Sequence, residues 1–365
     1  MTTICPASRL HARKGYTLIE FVALLIIIAI GIGMLIPAIQ AAREASRRSR
    51  CTNNLKEIGR GIHEFYQSQK GLPPICIFGL RPTIFSLLLP HIQQQELYEK
   101  MVADGHFRKA EMRLDPNVVP CDPHWFNSLN PEEKNAFSSV TTFLCPNRHQ
   151  APAMTPEGML ERCAGPLADY AGLIVTIDGQ YQGWHLFSEV RNDERYMQNF
   201  EASPLRRPQL EFHPEQEDPG MASHHCRSIT NWFFTDSMDR WQDGASNQFI
   251  FAEKHIPEWA LGGDTTEKSL WDGGWHGVYY ANAVGNTARH VPLRGDLGSI
   301  NRKLPAPTQD IVTLSELQHS IGSMHPGILA NVLVGDGAVR PLWLNMKPEL
   351  IWRLTHVKGI AIELP

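Results

Sequence analysis

The chain has 365 residues, of which 42% are hydrophobic and 20% are charged, so it can bury the core of one large or two modest domains. Its net charge of -4 excludes the basic field that nucleic-acid binding requires, and nucleic acid is not an expected partner. Seven cysteines are scattered without a Cys-x-x-Cys pair. This spacing argues against a zinc ribbon or a thioredoxin-type redox site.

The N-terminal segment contains an almost wholly apolar run, residues 16–39, in which Glu20 is the only charge. About 20 such residues make a membrane-spanning helix. A secretory signal peptide has a shorter apolar region of about 7 to 15 residues and ends in an Ala-x-Ala-like site, which residues 38–41 do not fit. An ordinary anchor would not carry a carboxylate, which is unfavourable by about 2.5 to 3.5 kcal/mol at mid-helix. Glu20 therefore needs a partner.

The residues at the start of this run resemble the type III signal of type IV pilins and type II secretion pseudopilins: Arg13-Lys14-Gly15-Tyr16-Thr17-Leu18-Ile19-Glu20. The resemblance implies that a prepilin peptidase cleaves between Gly15 and Tyr16 and N-methylates Tyr16. The leader, with its basic residues Arg13 and Lys14, would remain in the cytoplasm. It also implies an assembly role for Glu20, because the N-terminal ammonium of an adjoining subunit can pair with a buried carboxylate. Tyr16 replaces the Phe or Met common at this position.

The helix is expected to continue beyond the apolar run. Residues 38–66 consist largely of good helix formers, with a kink expected at Pro37 and a stop at residues 71–74, Gly-Leu-Pro-Pro. Apolar side chains recur here at the three-and-four spacing of one buried helix face. They are Cys51, Leu55, Ile58, Ile62 and Phe65. This half of the helix is predicted to pack on the remainder of the chain.

Several later motifs resemble the planctomycete prepilin-like proteins of domain-of-unknown-function family 1559. The motifs span nearly the whole chain after the leader. They are residues 51–59 (CTNNLKEIG), 71–74 (GLPP), 88–98 (LLPHIQQQELY), 143–146 (FLCP), 169–172 (DYAG), 243–247 (DGASN), His325-Pro326-Gly327 and Asp336-Gly337. No established biochemical activity accompanies this family, so the resemblance implies architecture and export only.

The predicted fold class is α+β, with a long pilin-type helix packed on a mainly antiparallel, β-rich head. Short apolar runs closed by turn residues predict strands at 173–178, 249–253, 277–281 and 329–334. Residues 85–101 have a helical pattern that Pro90 interrupts, and the Pro-rich, charged residues 203–220 suggest an exposed insertion. The expected division is a leader (1–15), a transmembrane half-helix (16–39), an amphipathic half-helix (40–66) and an exported head (67–365).

Candidate sites for chemistry in the head have plainer interpretations. The run His224-His225-Cys226 lacks a second ligand pair at a recognisable spacing, so no metal is expected there. The aromatic residues between 271 and 280, Trp271, Trp275, Tyr279 and Tyr280, suggest either a sugar or peptide platform or a core. Repeated Asp-Gly turns leave Ca²⁺ open, although no EF-hand loop is present. No catalytic residue, cofactor or enzymatic activity is predicted.

Two structural expectations concern the cysteines and the C-terminal motif. Cys145 and Cys163 bracket a loop whose closure by a disulfide would stabilise the fold by about 3 kcal/mol. Residues 329–344 predict a β-hairpin in which Asp336 and Gly337 form a two-residue type I′ turn. His325 then opens the first strand as a structural residue, and a ligand or metal role for His325 and Asp336 is the alternative.

Two functional classes remain open. In the first, the protein is a pilin-like or pseudopilin-like structural subunit in the inner membrane, whose partners are prepilin peptidase and other pilin or pseudopilin subunits. Its head lies in the periplasm, at the cell surface or in a filament. In the second, the helix tethers a head that binds a glycan or peptide and no filament forms.

Overall fold

The computed structural model describes residues 17–75, 82–105, 125–156, 165–176, 202–206, 209–217, 227–233, 236–256, 261–262, 272–276, 288–292, 321–343, 346 and 348–357. The chain divides into two compact units, Met1–Ser46 and Arg47–Pro365, called unit 1 and unit 2. The fold is α+β, as predicted.

The first element is a single helix of 52 residues, α1, which spans Leu18–Gln69 and continues through Pro37. The predicted long helix is thereby confirmed. It ends where Lys70 adopts a left-handed conformation (φ 59°), just before the Gly-Leu-Pro-Pro stretch. A residue in this conformation is a common end of an α-helix because its amide can bond back to the last turn, and the Lys70 amide donates to the Tyr66 carbonyl oxygen at 2.9 Å.

Within unit 2, α1 buries the face that its apolar spacing predicts. Its buried residues are Cys51, Leu55, Ile58, Gly59, Gly61, Ile62 and Phe65. Gly59 permits a close approach to the sheet, since a Cβ at this position would lie 2.8 Å from Leu333 Cδ1. Gly59 lowers helix propensity, but a larger residue there would have to displace the end of the Leu333 side chain.

Short helices follow α1 in sequence. The helical region predicted over 85–101 is divided around Pro90, as expected: Pro90 lies in a 3₁₀ turn, Leu89–Ile92, and Gln93 after it is left-handed (φ 63°). Asn130 and Glu133 form a capping box at the start of α5. The helices are α2 Ile84–Leu88, α3 Gln95–Ala103, α4 Trp125–Ser128, α5 Pro131–Ser138 and α6 Pro348–Thr355, with further 3₁₀ turns at Thr141–Phe143, Met238–Arg240 and Ala245–Asn247.

The described strands of unit 2 form a five-stranded sheet and a separate two-stranded pair. They are β1 Tyr170–Thr176, β2 Gln209–Glu217, β3 Arg227–Phe233, β4 Phe249–Glu253, β5 Ala288–Pro292, β6 Ile328–Val334 and β7 Val339–Trp343. The larger sheet has the order β5-β1-β4-β6-β7, in which β1 and β5 are parallel and all other pairs are antiparallel. Strands β2 and β3 pair with each other.

The inner strands of the sheet are buried on both faces. Ile174, Phe251 and Leu333 belong to the same core as the buried face of α1. Their neighbours in the strands, among them Leu173 and Val332, point to the other face and pack in a second core with residues of α6. Strand β6, which lies between β4 and β7, is accordingly buried along its whole length, which explains its mostly apolar sequence.

The hairpin of β6 and β7 confirms one prediction and corrects another. The loop has three residues, 335–337, because the Gly337 amide donates to the Val334 carbonyl oxygen (2.9 Å) and the Val334 amide to that of Ala338 (2.8 Å). Gly337 is left-handed (φ 86°), whereas Asp336 is not. The two-residue type I′ turn is therefore wrong, since that turn needs positive φ at both central residues. Asp336 remains structural: its Oδ1 accepts the Ala338 amide at 2.9 Å.

The exposed insertion predicted over residues 203–220 is contradicted only at its start. Ser203 and Leu205 are buried, and β2 occupies most of the rest of this segment in its pair with β3. Proline and charge suggested a loop, but the apolar residues Leu210 and Phe212 alternate with polar ones as in a strand. The strand predicted at 277–281 lies outside the described residues.

Candidate functional site

The apolar half of α1 in unit 1 leaves its side chains uncovered. This stretch is long and apolar enough to cross a membrane, and none of it is buried. Leu18 is 81% exposed and Ile27 is 67% exposed. Solvent-exposed apolar surface of this extent marks a membrane or protein interaction site. Its length and composition are those of a single membrane span or a signal anchor.

Glu20 takes part in a hydrogen-bonded cap at the start of α1. Its Oε2 accepts from the Thr17 amide at 2.8 Å and from Thr17 Oγ1 at 3.0 Å, and the Glu20 amide donates to Thr17 Oγ1 at 3.4 Å. This is the Thr-x-x-Glu capping box. The sequence analysis missed it, although the signal is present in residues 17–20. A local reason for a carboxylate at this position therefore stands beside the predicted assembly role.

The remaining leader predictions lie outside the described residues. Arg13, Lys14, Gly15 and Tyr16 belong to this undescribed segment. Cleavage after Gly15 and methylation of Tyr16 stay predictions.

The most unusual group in unit 2 is a buried cluster of four potential metal ligands: Cys51, Cys145, Glu253 and His325. Cys51 lies on α1, and Cys145 follows the 3₁₀ turn Thr141–Phe143. Glu253 ends β4, and His325 precedes β6. One ligand atom from each residue lies within 4.8 Å of the others. We call these residues the Cys-Glu-His cluster.

The two thiols form the closest pair of the cluster. Cys51 Sγ lies 3.0 Å from Cys145 Sγ, and neither residue is in a disulfide. A hydrogen bond from Cys51 and another from His325 hold the pKa of Cys145 below the usual thiol value, despite burial. The hydrogen bond to Cys145 and burial raise the pKa of Cys51 instead. The directions of these shifts favour Cys145 over Cys51 as the thiolate of the pair.

Glu253 presents one free carboxylate oxygen to the cluster. Its Oε2 accepts from the Asn331 amide (2.8 Å) and from Asn331 Nδ2 (3.1 Å). Its Oε1 is buried without a hydrogen bond and lies 3.7 Å from His325 Nε2. A buried carboxylate oxygen without a donor is costly, so this atom is suited to a cation.

The orientation of the His325 ring is fixed through its Nδ1 atom. Its Nδ1 lies 2.9 Å from Asn147 Nδ2, and its Nε2 lies 3.9 Å from Cys145 Sγ. Asn147 Oδ1 accepts from the Arg47 guanidinium at 3.1 Å. These contacts direct Nε2 into the Cys-Glu-His cluster.

An ionic network adjoins the cluster. Asp169 accepts the Cys145 amide at 2.6 Å, and its other oxygen lies 3.3 Å from the Arg148 guanidinium and 2.9 Å from His149 Nδ1. His149 Nε2 lies 2.9 Å from Asp272 Oδ2. Burial opposes charge on the His149 imidazole, but the hydrogen bond to Asp169 and the close Asp272 carboxylate prevail and raise its pKa to about 10. His149 is thus an imidazolium at neutral pH.

The predicted site residues of the head have mixed outcomes. Cys145 lies beside Cys51, and Cys163 is outside the described residues, so the Cys145–Cys163 disulfide stays a prediction. His325 precedes β6 as expected but also belongs to the cluster. Trp275 is in the core against Phe85 and Phe143, which favours the core interpretation of that aromatic residue. The other aromatic candidates and His224-His225-Cys226 lie outside the described residues.

Sequence reasoning missed the cluster as a whole. Glu253 was taken only as the end of a strand, and Cys51 only as an apolar position on α1. The four ligands are separated by about 70 residues or more along the chain, whereas recognisable metal motifs place ligands a few residues apart. No local pattern could have indicated the site.

Comparison with known proteins identifies the family. The sequence profile of the family described as "Protein of unknown function (DUF1559)" matches residues 40–348. The chain belongs to this family. The resemblance drawn from the sequence motifs is thereby confirmed. Membership together with the apolar N-terminal helix suggests that this DUF1559 protein is membrane-anchored and extracytoplasmic.

Other comparisons add little about this DUF1559 protein. A stretch of 105 residues is 25% identical to the Mediator of RNA polymerase II transcription subunit 16 of Candida glabrata. It covers 29% of this chain and 10% of that protein, which is too small a share to indicate a common family. No solved structure matches the chain.

Proposed function

We propose that this DUF1559 protein is a pilin-like or type II secretion pseudopilin-like structural subunit. A prepilin peptidase removes residues 1–15, and the apolar half of α1 then anchors the subunit in the inner membrane or packs against the same half-helix of its neighbours. Unit 2 is exported and remains attached through the amphipathic half of α1. The protein has no catalytic role.

The observation that carries this proposal is the difference between the two halves of α1. In unit 2 the helix buries a continuous apolar face, from Cys51 to Phe65. In unit 1 the same helix exposes apolar side chains around its whole circumference. A helix of this kind needs a partner on every side, which lipid or a bundle of identical helices supplies.

Glu20 supports assembly because its carboxylate is exposed as well as capped. In lipid, a carboxylate is tolerated when an opposite charge pairs with it. Cleavage after Gly15 would create an ammonium group at Tyr16. The corresponding ammonium of a neighbouring subunit can then pair with Glu20, and the energetic cost of an unpaired carboxylate favours stacking of the helices.

The first test concerns processing. In the wild-type membrane fraction, mass spectrometry is expected to find an N-methylated peptide that begins at Tyr16. Gly15→Leu should block cleavage, because a peptidase site before the cut requires a residue with almost no side chain. Gly31→Leu is the matched control: nothing lies within 4 Å of a Cβ at Gly31, and this variant should be processed normally. An intact Met1 on the mature wild-type protein would refute the proposal.

The second test separates the charge of Glu20 from its capping role. Glu20→Gln retains the capping box, in which Gln is also accepted, but removes the charge. Thr17→Val removes the capping hydroxyl and retains the charge. A photo-cross-linking residue at the exposed Ile28 should yield helix-to-helix oligomers in the wild type and in Thr17→Val, and monomers in Glu20→Gln.

The same test decides between the two functional classes. Monomers in the wild type would favour the membrane-tethered binding protein over the subunit. Equal oligomer yields in the wild type and Glu20→Gln would contradict charge-guided assembly. Glu20 would then serve only to cap α1.

A further inference from the structure

We propose that the Cys-Glu-His cluster binds one Zn²⁺ ion as a closed structural site, with Cys51 Sγ, Cys145 Sγ, Glu253 Oε1 and His325 Nε2 as its four ligands. This inference concerns unit 2 alone and does not rest on the proposed assembly function. It takes up the ligand alternative for His325, with partners other than Asp336. It excludes the Cys145–Cys163 disulfide expected from the sequence, because Cys145 must be a free thiolate to bind zinc.

The donor atoms select the metal. Two thiolates, one imidazole and one carboxylate form the mixed sulfur, nitrogen and oxygen set that tetrahedral zinc sites use. Ca²⁺ requires six to eight oxygen ligands and Mg²⁺ an octahedral set of oxygens, so neither suits two sulfurs. All four residues are buried. A site with four protein ligands and no open position is structural rather than catalytic.

The distances are close to those of a tetrahedral zinc site. With Zn–S near 2.3 Å and Zn–N or Zn–O near 2.1 Å, two sulfurs are separated by about 3.8 Å, a sulfur and a nitrogen by about 3.6 Å, and a nitrogen and an oxygen by about 3.4 Å. The corresponding distances here are 3.0 Å for Cys51–Cys145, 3.9 Å for Cys145–His325 and 3.7 Å for His325–Glu253. The other pairs of ligand atoms lie within 4.8 Å of each other, so side-chain shifts of about 1 Å would complete the tetrahedron.

Glu253 provides an independent observation that points to a cation. The residue is 1% exposed, and its Oε1 is buried, directed at the cluster and without a hydrogen bond. Asn331 holds the other oxygen by two hydrogen bonds and thereby fixes the direction of Oε1. A disulfide between the two cysteines would leave this oxygen without a donor, whereas a metal ion would satisfy it.

Asn147 is the positioning residue for His325. Coordination through Nε2 places the remaining proton on Nδ1, so Nδ1–H must donate to an acceptor. Asn147 is 2.9 Å away, and rotation of its amide by 180° presents Oδ1 to the imidazole. The two orientations of an amide differ only in hydrogen-bonding pattern. The Arg47 guanidinium would then exchange its contact with Oδ1 for solvent.

The site would join segments that are distant in sequence. It would link α1 to the loop after the 3₁₀ turn Thr141–Phe143, to the end of β4 and to the residues that precede β6. Two thiolates and a carboxylate give one negative charge in excess of Zn²⁺. The buried Arg148 guanidinium, which acts electrostatically on both Cys145 and Glu253, offsets this charge. Such a site would secure the helix to the head.

The competing occupant of the same space is a Cys51–Cys145 disulfide. Its formation removes two protons and two electrons from the thiols and requires an oxidant such as the disulfide of a thiol oxidoreductase, whereas zinc binding releases only the thiol protons. The two states give different products. Zinc leaves both cysteines reduced but protected, and the disulfide leaves them oxidised and the metal absent.

The experiment uses the full mature chain, purified in mild detergent with a tag that contains no histidine. Metal content is measured by mass spectrometry as purified and after addition of one equivalent of Zn²⁺. Cys51 and Cys145 are then alkylated with and without a strong zinc chelator, and the labelled peptides are mapped. We expect one zinc per chain, with both cysteines unlabelled until the chelator is added. With Co²⁺ as a probe, a thiolate-to-cobalt charge-transfer band should appear in the near ultraviolet.

Variants test the ligands and the positioning residue. Cys145→Ser and Glu253→Gln should lose stoichiometric zinc, and Cys145→Ser should weaken the cobalt band. Asn147→Leu should bind zinc about 10- to 100-fold more weakly, whereas Asn147→Asp, which can accept from Nδ1–H, should restore the affinity. Cys163→Ser is the matched cysteine control and should retain the metal. Near-ultraviolet circular dichroism checks that each variant is folded.

Three results would overturn the proposal. The first is a Cys51–Cys145 disulfide peptide in a non-reducing map with no zinc in the purified chain. The second is a folded chain with both thiols reduced that takes up no zinc. The third is zinc that remains in Cys145→Ser and Glu253→Gln at the wild-type level, which would place the metal elsewhere. If the variants do not fold, the metal content and thiol protection of the wild type decide the question.

Discussion

Raising the pH from 7 to 9 is expected to destabilise unit 2 through His149. This imidazole lies between the carboxylates of Asp169 and Asp272, and its pKa is about 10 against an ordinary value of 6.5. The folded-state pKa is higher than the unfolded one, so folding favours the protonated form. The stabilisation is therefore complete below about pH 6.5 and disappears as the pH rises through 10.

The magnitude follows from the difference between the two pKa values. One pKa unit corresponds to about 1.36 kcal/mol, so the full effect at low pH approaches about 5 kcal/mol. For pKa values of about 10 folded and 6.5 unfolded, linkage gives a contribution of about 4 kcal/mol at pH 7 and about 1.4 kcal/mol at pH 9. The wild type should thus lose about 2.5 kcal/mol of unfolding free energy over these two pH units.

Urea unfolding of the full chain in detergent measures this loss, with fluorescence of the buried Trp125 and Trp275 as the signal. A decrease of this size lowers the midpoint by about 1 M urea. His149→Gln should be less stable at pH 7 by about 3 to 5 kcal/mol, because it leaves two buried carboxylates with one cation fewer. Between pH 7 and 9 its stability should be nearly constant apart from groups common to both proteins. Parallel pH profiles of the wild type and His149→Gln would refute the reasoning.

Two further predictions concern packing and the hairpin. Ile58→Ala should lower the unfolding free energy by about 2 to 5 kcal/mol because it opens a cavity between α1 and the sheet. Lys56→Ala, on the exposed side of the same helix, should change the unfolding free energy by less than about 0.5 kcal/mol. Equal effects of the two substitutions in urea unfolding would contradict the buried face. Gly337→Val should lower the melting temperature, since a β-branched residue at φ 86° costs about 1 to 3 kcal/mol. Asp336→Asn should be nearly silent because the Asn oxygen can also accept the Ala338 amide, and a calorimetric loss equal to that of Gly337→Val would argue against a structural role confined to the loop.

Local patterns in the sequence were sufficient for the long elements. The spacing of Leu55, Ile58 and Ile62 predicted the buried face of α1, because a helix repeats its faces every three to four residues. The apolar run at Phe249–Glu253 predicted β4 with its observed bounds. The helical region over 85–101 is interrupted at Pro90 and also at the left-handed Gln93. The apolar spacing of the sequence does not indicate the second interruption.

The features that depend on tertiary structure were not predictable in this way. An Asp-Gly pair is compatible with both two-residue and three-residue hairpin loops, and the register between β6 and β7 decides between them. Glu253 and His325 come together because β4 and β6 are neighbours in the sheet, and Cys51 joins them because α1 packs across that sheet. None of these relations is encoded in a short segment of sequence.

Gly59 and Leu333, which approach closely in the fold, are synthesised far apart in time. Roughly 270 residues separate these two positions, and at a synthesis rate of about 5 to 20 residues per second the helix waits about 15 to 55 s for β6. During this interval the part of α1 that meets Leu333 lacks β6, although earlier residues such as Phe85 and Ile174 can already cover the rest of its apolar face. A chain truncated before residue 328 would leave this part of the helix without its partner and would be more prone to aggregation.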